Sequence, residues 1–321
     1  MPRTKSKRNI SVFKTVFDGL KAYLYNLDIY AKYLSFPILG TVFGMFFLFF
    51  INYFFVTHLE QIEKISPVFE NEAVILTLLL IIVIPAFLIM IKALIDYIIA
   101  YGAINSMCVL GTKRIEDVYS HKETVKRRFA PYCILILVLS VIFGVLSVPF
   151  LWPLLIVALI FLSLSIQIFS LEENLTPFES IRKSIELVKS NFWVVFWALI
   201  FITLISYVAV PYLISWAVAK TPLFQWLAYP VEKYLSLMPV SDINSFLASA
   251  NISYSFDVII IAENIVNCVI STIVIMYMLP FRCACCVEMY KGLNENYFSE
   301  IKQEEKSKNK EKTKKYKKKT D

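Results

Sequence analysis

Charge is scarce in this sequence: Asp, Glu, Lys and Arg make up 18% of its 321 residues, against roughly 25% in a soluble domain. Glycine is scarcer, at 7, and histidine occurs twice. So few glycines leave little room for the interrupted half-helices from which many transporters build their sites. His58 and His121 stand in no H-E-x-x-H pattern, and no G-x-S-x-G, P-loop or G-x-G-x-x-G occurs. Zinc-protease, serine-hydrolase and nucleotide-driven chemistries therefore lack their usual residues. No acid–base pair suited to lipid chemistry stands out either. A chain that is not an enzyme and holds no cofactor is therefore expected.

What is abundant is apolar. Hydrophobic residues reach 58%, 26 of them Phe, and mean hydropathy is +0.65. A soluble core cannot hide that much apolar surface, so a polytopic membrane protein is expected. A span needs about 20 apolar residues, and six stretches qualify: residues 34–56, 73–100, 131–149, 152–171, 192–219 and 258–280. The run 131–171 carries no charge, and Pro149-Phe-Leu-Trp-Pro153 supplies a hairpin in its middle. A secretory leader is not expected, because the first apolar run starts at Leu34 and lacks an A-x-A-like exit.

The loops sort by charge. Between spans one and two lie Glu60, Glu63, Glu70 and Glu72 against Lys64. Between two and three lie Lys113, Arg114, Lys122, Lys126, Arg127 and Arg128, and before span five lie Arg182, Lys183 and Lys189. The segment 220–257 has only Lys220 and Lys233 as basic residues, and its Phe224, Trp226, Leu227, Tyr234 and Leu235 call for short external helices. The positive-inside rule then puts both termini in the cytoplasm, in a cytoplasmic (inner) membrane. Residues 1–14 carry five basic residues and no acid, and the Lys-rich tail from about residue 300 has ten Lys after Ile301. Beside membrane spans, such tails suit anionic headgroups rather than nucleic acid, at about 1 kcal/mol per cation near the surface. No cysteine falls in an external loop, so no disulfide is expected.

A charged amphipathic stretch precedes three of the spans. Thr176-Pro177-Phe178-Glu179 reads as a capping box with Pro at the first helical position. Phe178, Ile181, Ile185 and Val188 follow at helical spacing, with Glu179, Arg182, Lys183, Glu186 and Lys189 facing away. Such a helix lies flat at the interface with its apolar row in the lipid. A second copy holds Ile115, Val118, Val125 and Phe129 among Lys122, Lys126, Arg127 and Arg128. A third holds Phe13, Phe17, Leu20, Leu24 and Leu27 opposite Lys14, Asp18 and Lys21. An offset of 63 residues pairs Val125 with Val188, and an offset of 161 pairs Phe17 with Phe178. These pairings predict three tandem units, each an interfacial helix followed by two spans, all entering from one side.

The segment Glu173–Trp193 and the ending Pro280-Phe-Arg-Cys-Ala-Cys-Cys-Val-Glu-Met-Tyr290 resemble a group of bacterial six-helix proteins. These are the YciC-like proteins and the membrane domains fused to some glycerophosphodiester phosphodiesterases. The resemblance covers residues 10–292 and implies a six-helix membrane domain. It implies no phosphodiesterase activity, since the catalytic barrel of the fused enzymes is missing.

Five features remain. Cys283, Cys285 and Cys286 form the densest thiol cluster, a weak metal candidate without the second pair of ligands a structural zinc site wants. Lys92 and Asp96 share a helix face on span two, as an ion pair near the boundary or as a functional pair. Glu263, Asn264, Asn267 and Ser271 form a polar stripe on span six, as interhelical hydrogen bonds or as a path for an ion or substrate. Gly40 and Gly44 suit close helix packing, within the chain or between copies. Asn251-Ile-Ser253 matches a glycosylation pattern. The sequence thus predicts an all-α bundle of six transmembrane helices with cytoplasmic interfacial helices. Its working surface is the interfacial residues Phe178, Ile181, Arg182, Lys183, Ile185, Lys189, Arg127 and Arg128, organising lipid or a membrane-protein partner. The alternative is a transporter or channel using Glu263, Asn264 and Asn267, with Lys92 and Asp96.

Overall fold

A computed structural model describes residues 11–65, 72–250, 252–253 and 255–294. Asn251 and the Lys-rich tail lie outside them. The described chain is mainly helical, without strands. The helices are α1 (Val12–Tyr25), α2 (Leu27–Ile65), α3 (Glu72–Cys108), α4 (Val118–Arg127), α5 (Phe129–Leu146), α6 (Trp152–Leu162), α7 (Ser165–Leu171) and α8 (Pro177–Ser190). They continue as α9 (Phe192–Thr203), α10 (Val210–Ala219), α11 (Pro222–Leu235), α12 (Val240–Ser249), α13 (Val258–Tyr277) and α14 (Leu279–Leu293). Six segments among the described residues are long and apolar enough to cross a membrane: Leu27–Ile51, Ala73–Cys108, Phe129–Leu146, Pro149–Leu171, Phe192–Ala219 and Val258–Leu293. The chain is an all-α integral membrane protein.

The proline hairpin forms as expected. Pro149–Leu151 make a 3-10 turn, and Trp152 Nε1 donates to the Ser147 carbonyl at 2.9 Å, closing it. Pro211 explains the break in span five: it has no N–H to donate, and Leu204–Ala209 widen into a π segment just before it. Helix α2 runs on to Ile65, so His58 sits in a helix, its ring stacked on Phe54 at 4.7 Å, rather than in a loop. Span six breaks at Met278, and a separate helix, α14, follows.

The chain divides into two units. The first takes the residues up to Ile29, Tyr101–Thr203 and those from Pro280 on. It therefore holds α1, α4 to α9, α14 and the end of α3. Its centre is α14, where Phe281, Cys283, Ala284, Cys285, Val287, Met289 and Tyr290 are all fully buried. Small side chains let neighbours approach closely. Gly19 of α1 sits directly on Cys285, so that a Cβ there would lie 2.5 Å from Sγ and 2.8 Å from the Cys285 backbone. The Cys285 thiol donates to the Val16 carbonyl, and Cys108 to that of Pro280, each at 3.8 Å. All three sequence-identified amphipathic helices belong to this unit.

The second unit takes Tyr30–Ala100 and Leu204–Leu279. Helix α11 packs Phe224, Ala228, Val231 and Leu235 onto Ala262 and Val266 of α13. The apolar segment 220–257 thus forms two short helices, as its composition required. The Gly40/Gly44 alternative resolves within the chain: a Cβ at Gly40 would meet Ala93 at 3.0 Å, and one at Gly44 would meet Met90 at 3.2 Å.

Candidate functional site

The capping box of α8 is present. Thr176 Oγ1 accepts from the Glu179 N–H, and the Thr176 N–H donates to the Glu179 carboxylate at 2.8 Å. These bonds hold the Glu179 carboxyl below the usual carboxylate range. The helix it starts has three faces, at roughly 100° per residue. Ser180, Ser184 and Val188 are buried, and the Ser184 hydroxyl donates to the Phe161 carbonyl at 2.7 Å. A third of a turn round lies the apolar row, with Phe178 65% exposed and Ile185 39%. Beyond it stand Arg182 and Lys189, exposed, with Arg182 paired to Glu186 at 3.0 Å. Val188 therefore leaves the expected lipid row. It packs on the protein, because two serines beside it let α8 approach closely.

Helix α1 repeats this design. Each helix has 14 residues, a hydroxyl N-cap (Ser11, Thr176) and an Asn C-cap (Asn26, Asn191). Thr15 and Gly19 are buried where Ser180 and Ser184 are, and the exposed row is led by Phe13, 71% exposed. The offset is 165 residues (Ser11 to Thr176), not 161. The four-residue slip is about one helical turn, which leaves an amphipathic pattern nearly unchanged and so hides in the sequence. The offset of 63 holds: Val125 and Val188 are both buried three residues before a C-cap, Arg128 or Asn191. Helix α4 starts only at Val118, capped by Asp117.

The C-caps do more than end helices. Asn26 reaches the loop after α3, its Nδ2 donating to the Lys113 carbonyl at 3.0 Å and its Oδ1 accepting from the Ile115 N–H at 3.1 Å. Arg128 does the same after α7, donating to the carbonyls of Phe169 (2.9 Å), Glu172 (3.3 Å) and Leu175 (2.8 Å). Its guanidinium lies 4.1 Å from the Phe169 ring centre. Arg128 thus clamps backbone instead of facing lipid, while Arg127 is exposed, 3.8 Å from Glu123.

The strongest polar cluster was not foreseen. Glu172, 9% exposed, accepts from Lys183 Nζ at 2.5 and 2.7 Å, from the Tyr290 hydroxyl and from Asn294 Nδ2 at 3.4 Å. Asn294 also donates to the Tyr290 hydroxyl at 2.7 Å. This knot joins α8 and α14 to the turn after α7. Lys183 therefore turns inward rather than away with the other charges of α8. The one available signal was an acid at the end of a long uncharged run, which has every reason to find a cation.

His121 is also not a solvated surface residue. Its Nδ1 lies 2.7 Å from the Ser106 hydroxyl, and burial pulls its pKa down, opposed by the charge of Asp117. A Ser–His contact begins many nucleophilic sites. Here the nearby N–H groups of Val109, Leu110 and Gly111 are spent on the carbonyls of Ser106, Met107 and Cys108. They form no oxyanion cradle, and the pair acts as a staple between α3 and α4.

The remaining residues stay apart. Lys92 lies over the Phe36 ring at 4.9 Å rather than on Asp96. Among the described residues no group of three or more His, Cys, Asp or Glu side chains could hold a metal, the α14 cysteines included. On α13, Glu263 and Asn264 are exposed and Asn267 half-buried, while Ser271 hydrogen-bonds Ser215 at 2.9 Å. The side chains of Glu263, Asn264 and Asn267 make no hydrogen bond among the described residues, so of the stripe's expected interhelical bonds only that of Ser271 forms there. Compared with family models, curated proteins and solved structures, the chain matched none.

Proposed function

We propose that this integral membrane protein is non-catalytic and organises the lipid around it, and through that lipid its membrane partners, by way of α1, α4 and α8. The observation that carries this reading is the shared three-faced design of α1 and α8. Each presents an exposed apolar row beside cations, a surface that seats in the acyl boundary with its charges among anionic headgroups. That these helices and the basic loops fall in one unit supports a common cytoplasmic side, with both termini there. The exposed placement of Glu263 and Lys92 favours this reading over a lined transport path. In nanodiscs of mixed anionic and zwitterionic lipid, native mass spectrometry is expected to find anionic lipid retained on the wild-type chain. The variant Arg182→Gln/Lys189→Gln should lose on the order of half of it. An unchanged anionic complement in that variant would overturn the reading.

A further inference from the structure

Helix α13 has a second polar row that is exposed among the described residues. Ala262 and Val266 face α11, and Ser271 bonds α10. Asn264, Cys268 and Thr272, one turn apart, are all exposed on a different side, flanked by exposed Ile260 and Ile265. The Thr272 hydroxyl is spent on its own helix, donating to the Cys268 carbonyl at 2.7 Å. The Asn264 amide has no hydrogen-bond partner among the described residues. Asn264 stands six residues inside the helix start, about 9 Å along the axis. An unpaired amide costs several kcal/mol at membrane depth, because lipid tails offer it nothing.

We propose that this row is the contact between two copies of the chain, α13 against α13. A carboxamide carries both donors and an acceptor. The same residue on a two-fold-related helix therefore completes its bonding without any other chemistry, as an isologous contact requires. Cys268 and Thr272 are small enough for the backbones to approach, which is how spanning helices pair. The isoleucines close the seam on either side. A lipid could cover the apolar flanks but would leave the amide unpaired. A different polypeptide would need a matching polar residue at the same depth, and the second copy brings one by symmetry.

The sulfur of Cys268 lies in the seam and reports on it directly. Oxidation by copper phenanthroline joins two Cys268 thiols into one disulfide, with the copper–oxygen couple taking up the two electrons and the two thiol protons released. In membranes holding the full chain, wild type is expected to give a dimer band that Cys268→Ser abolishes. In the Cys268→Ser background, Thr272→Cys should restore the band and Ile259→Cys, on another side of α13, should not. Asn264→Leu should weaken dimerisation roughly tenfold when the protein is diluted in lipid. The proposal is overturned by equal cross-linking of the Ile259→Cys and Thr272→Cys variants, by adducts to another polypeptide in place of the dimer, or by dimerisation indifferent to Asn264→Leu. It is also overturned if neither wild type nor Thr272→Cys cross-links while size-exclusion shows both folded.

Discussion

Replacing Glu172 with Ala is expected to cost about 3 kcal/mol of stability, the range seen when one partner of a buried ion pair is removed. Glu172 is the acceptor on which Lys183, Tyr290 and Asn294 all converge. Without it an ammonium that is only 31% exposed loses its counter-charge, and the tyrosine and asparagine lose their acceptor. Glu172→Gln keeps the shape and one acceptor oxygen, so it should cost less than Ala does. Lys183→Met in the Glu172→Gln background removes the stranded cation and should recover part of the loss. Thermal unfolding of the four proteins in one detergent checks the order. An Ala variant as stable as wild type would mean that the knot contributes nothing.

Gly19→Val is expected to dislodge α1 from α14. Any Cβ at this position meets the Cys285 backbone as well as its sulfur, at distances that real side chains do not tolerate. Even Gly19→Ala should cost about 1–3 kcal/mol, the usual range for overpacking, and Val adds two more methyl groups against the same wall. Cys285→Ala removes only Sγ and leaves N and Cα in place, so the double variant Gly19→Ala/Cys285→Ala should stay destabilised. Full rescue by Cys285→Ala would locate the clash in the thiol instead of the backbone. Limited proteolysis at Lys14 and Lys21 reports the release of α1 separately from global unfolding.

The six spans, the proline hairpin and the capping box were legible because each rests on local chemistry. Apolar length, a missing N–H at Pro and a Thr-x-x-Glu spacing act within one segment. The α1 register was not legible, since one helical turn separates two near-equivalent alignments. It took the paired caps, Ser11 with Thr176 and Asn26 with Asn191, to fix the offset. Glu172 was not legible because its partners lie 11, 118 and 122 residues away. The serines at 180 and 184 look like polar-face residues by type, yet their small size makes them the packing face. Glu263 and Asn264 were visible as polar residues in a span, but which way they point depends on where α11 packs.

The proposed lipid-organising role requires α8 to lie with Phe178 and Ile185 in lipid and Arg182 and Glu186 in water. Spin labels placed singly at these four positions in reconstituted protein measure this by relative access to oxygen and to a nickel chelate. Oxygen-dominated access is expected at 178 and 185, and nickel-dominated access at 182 and 186. Nickel-dominated access at all four positions would contradict it, because α8 would then stand free of the membrane.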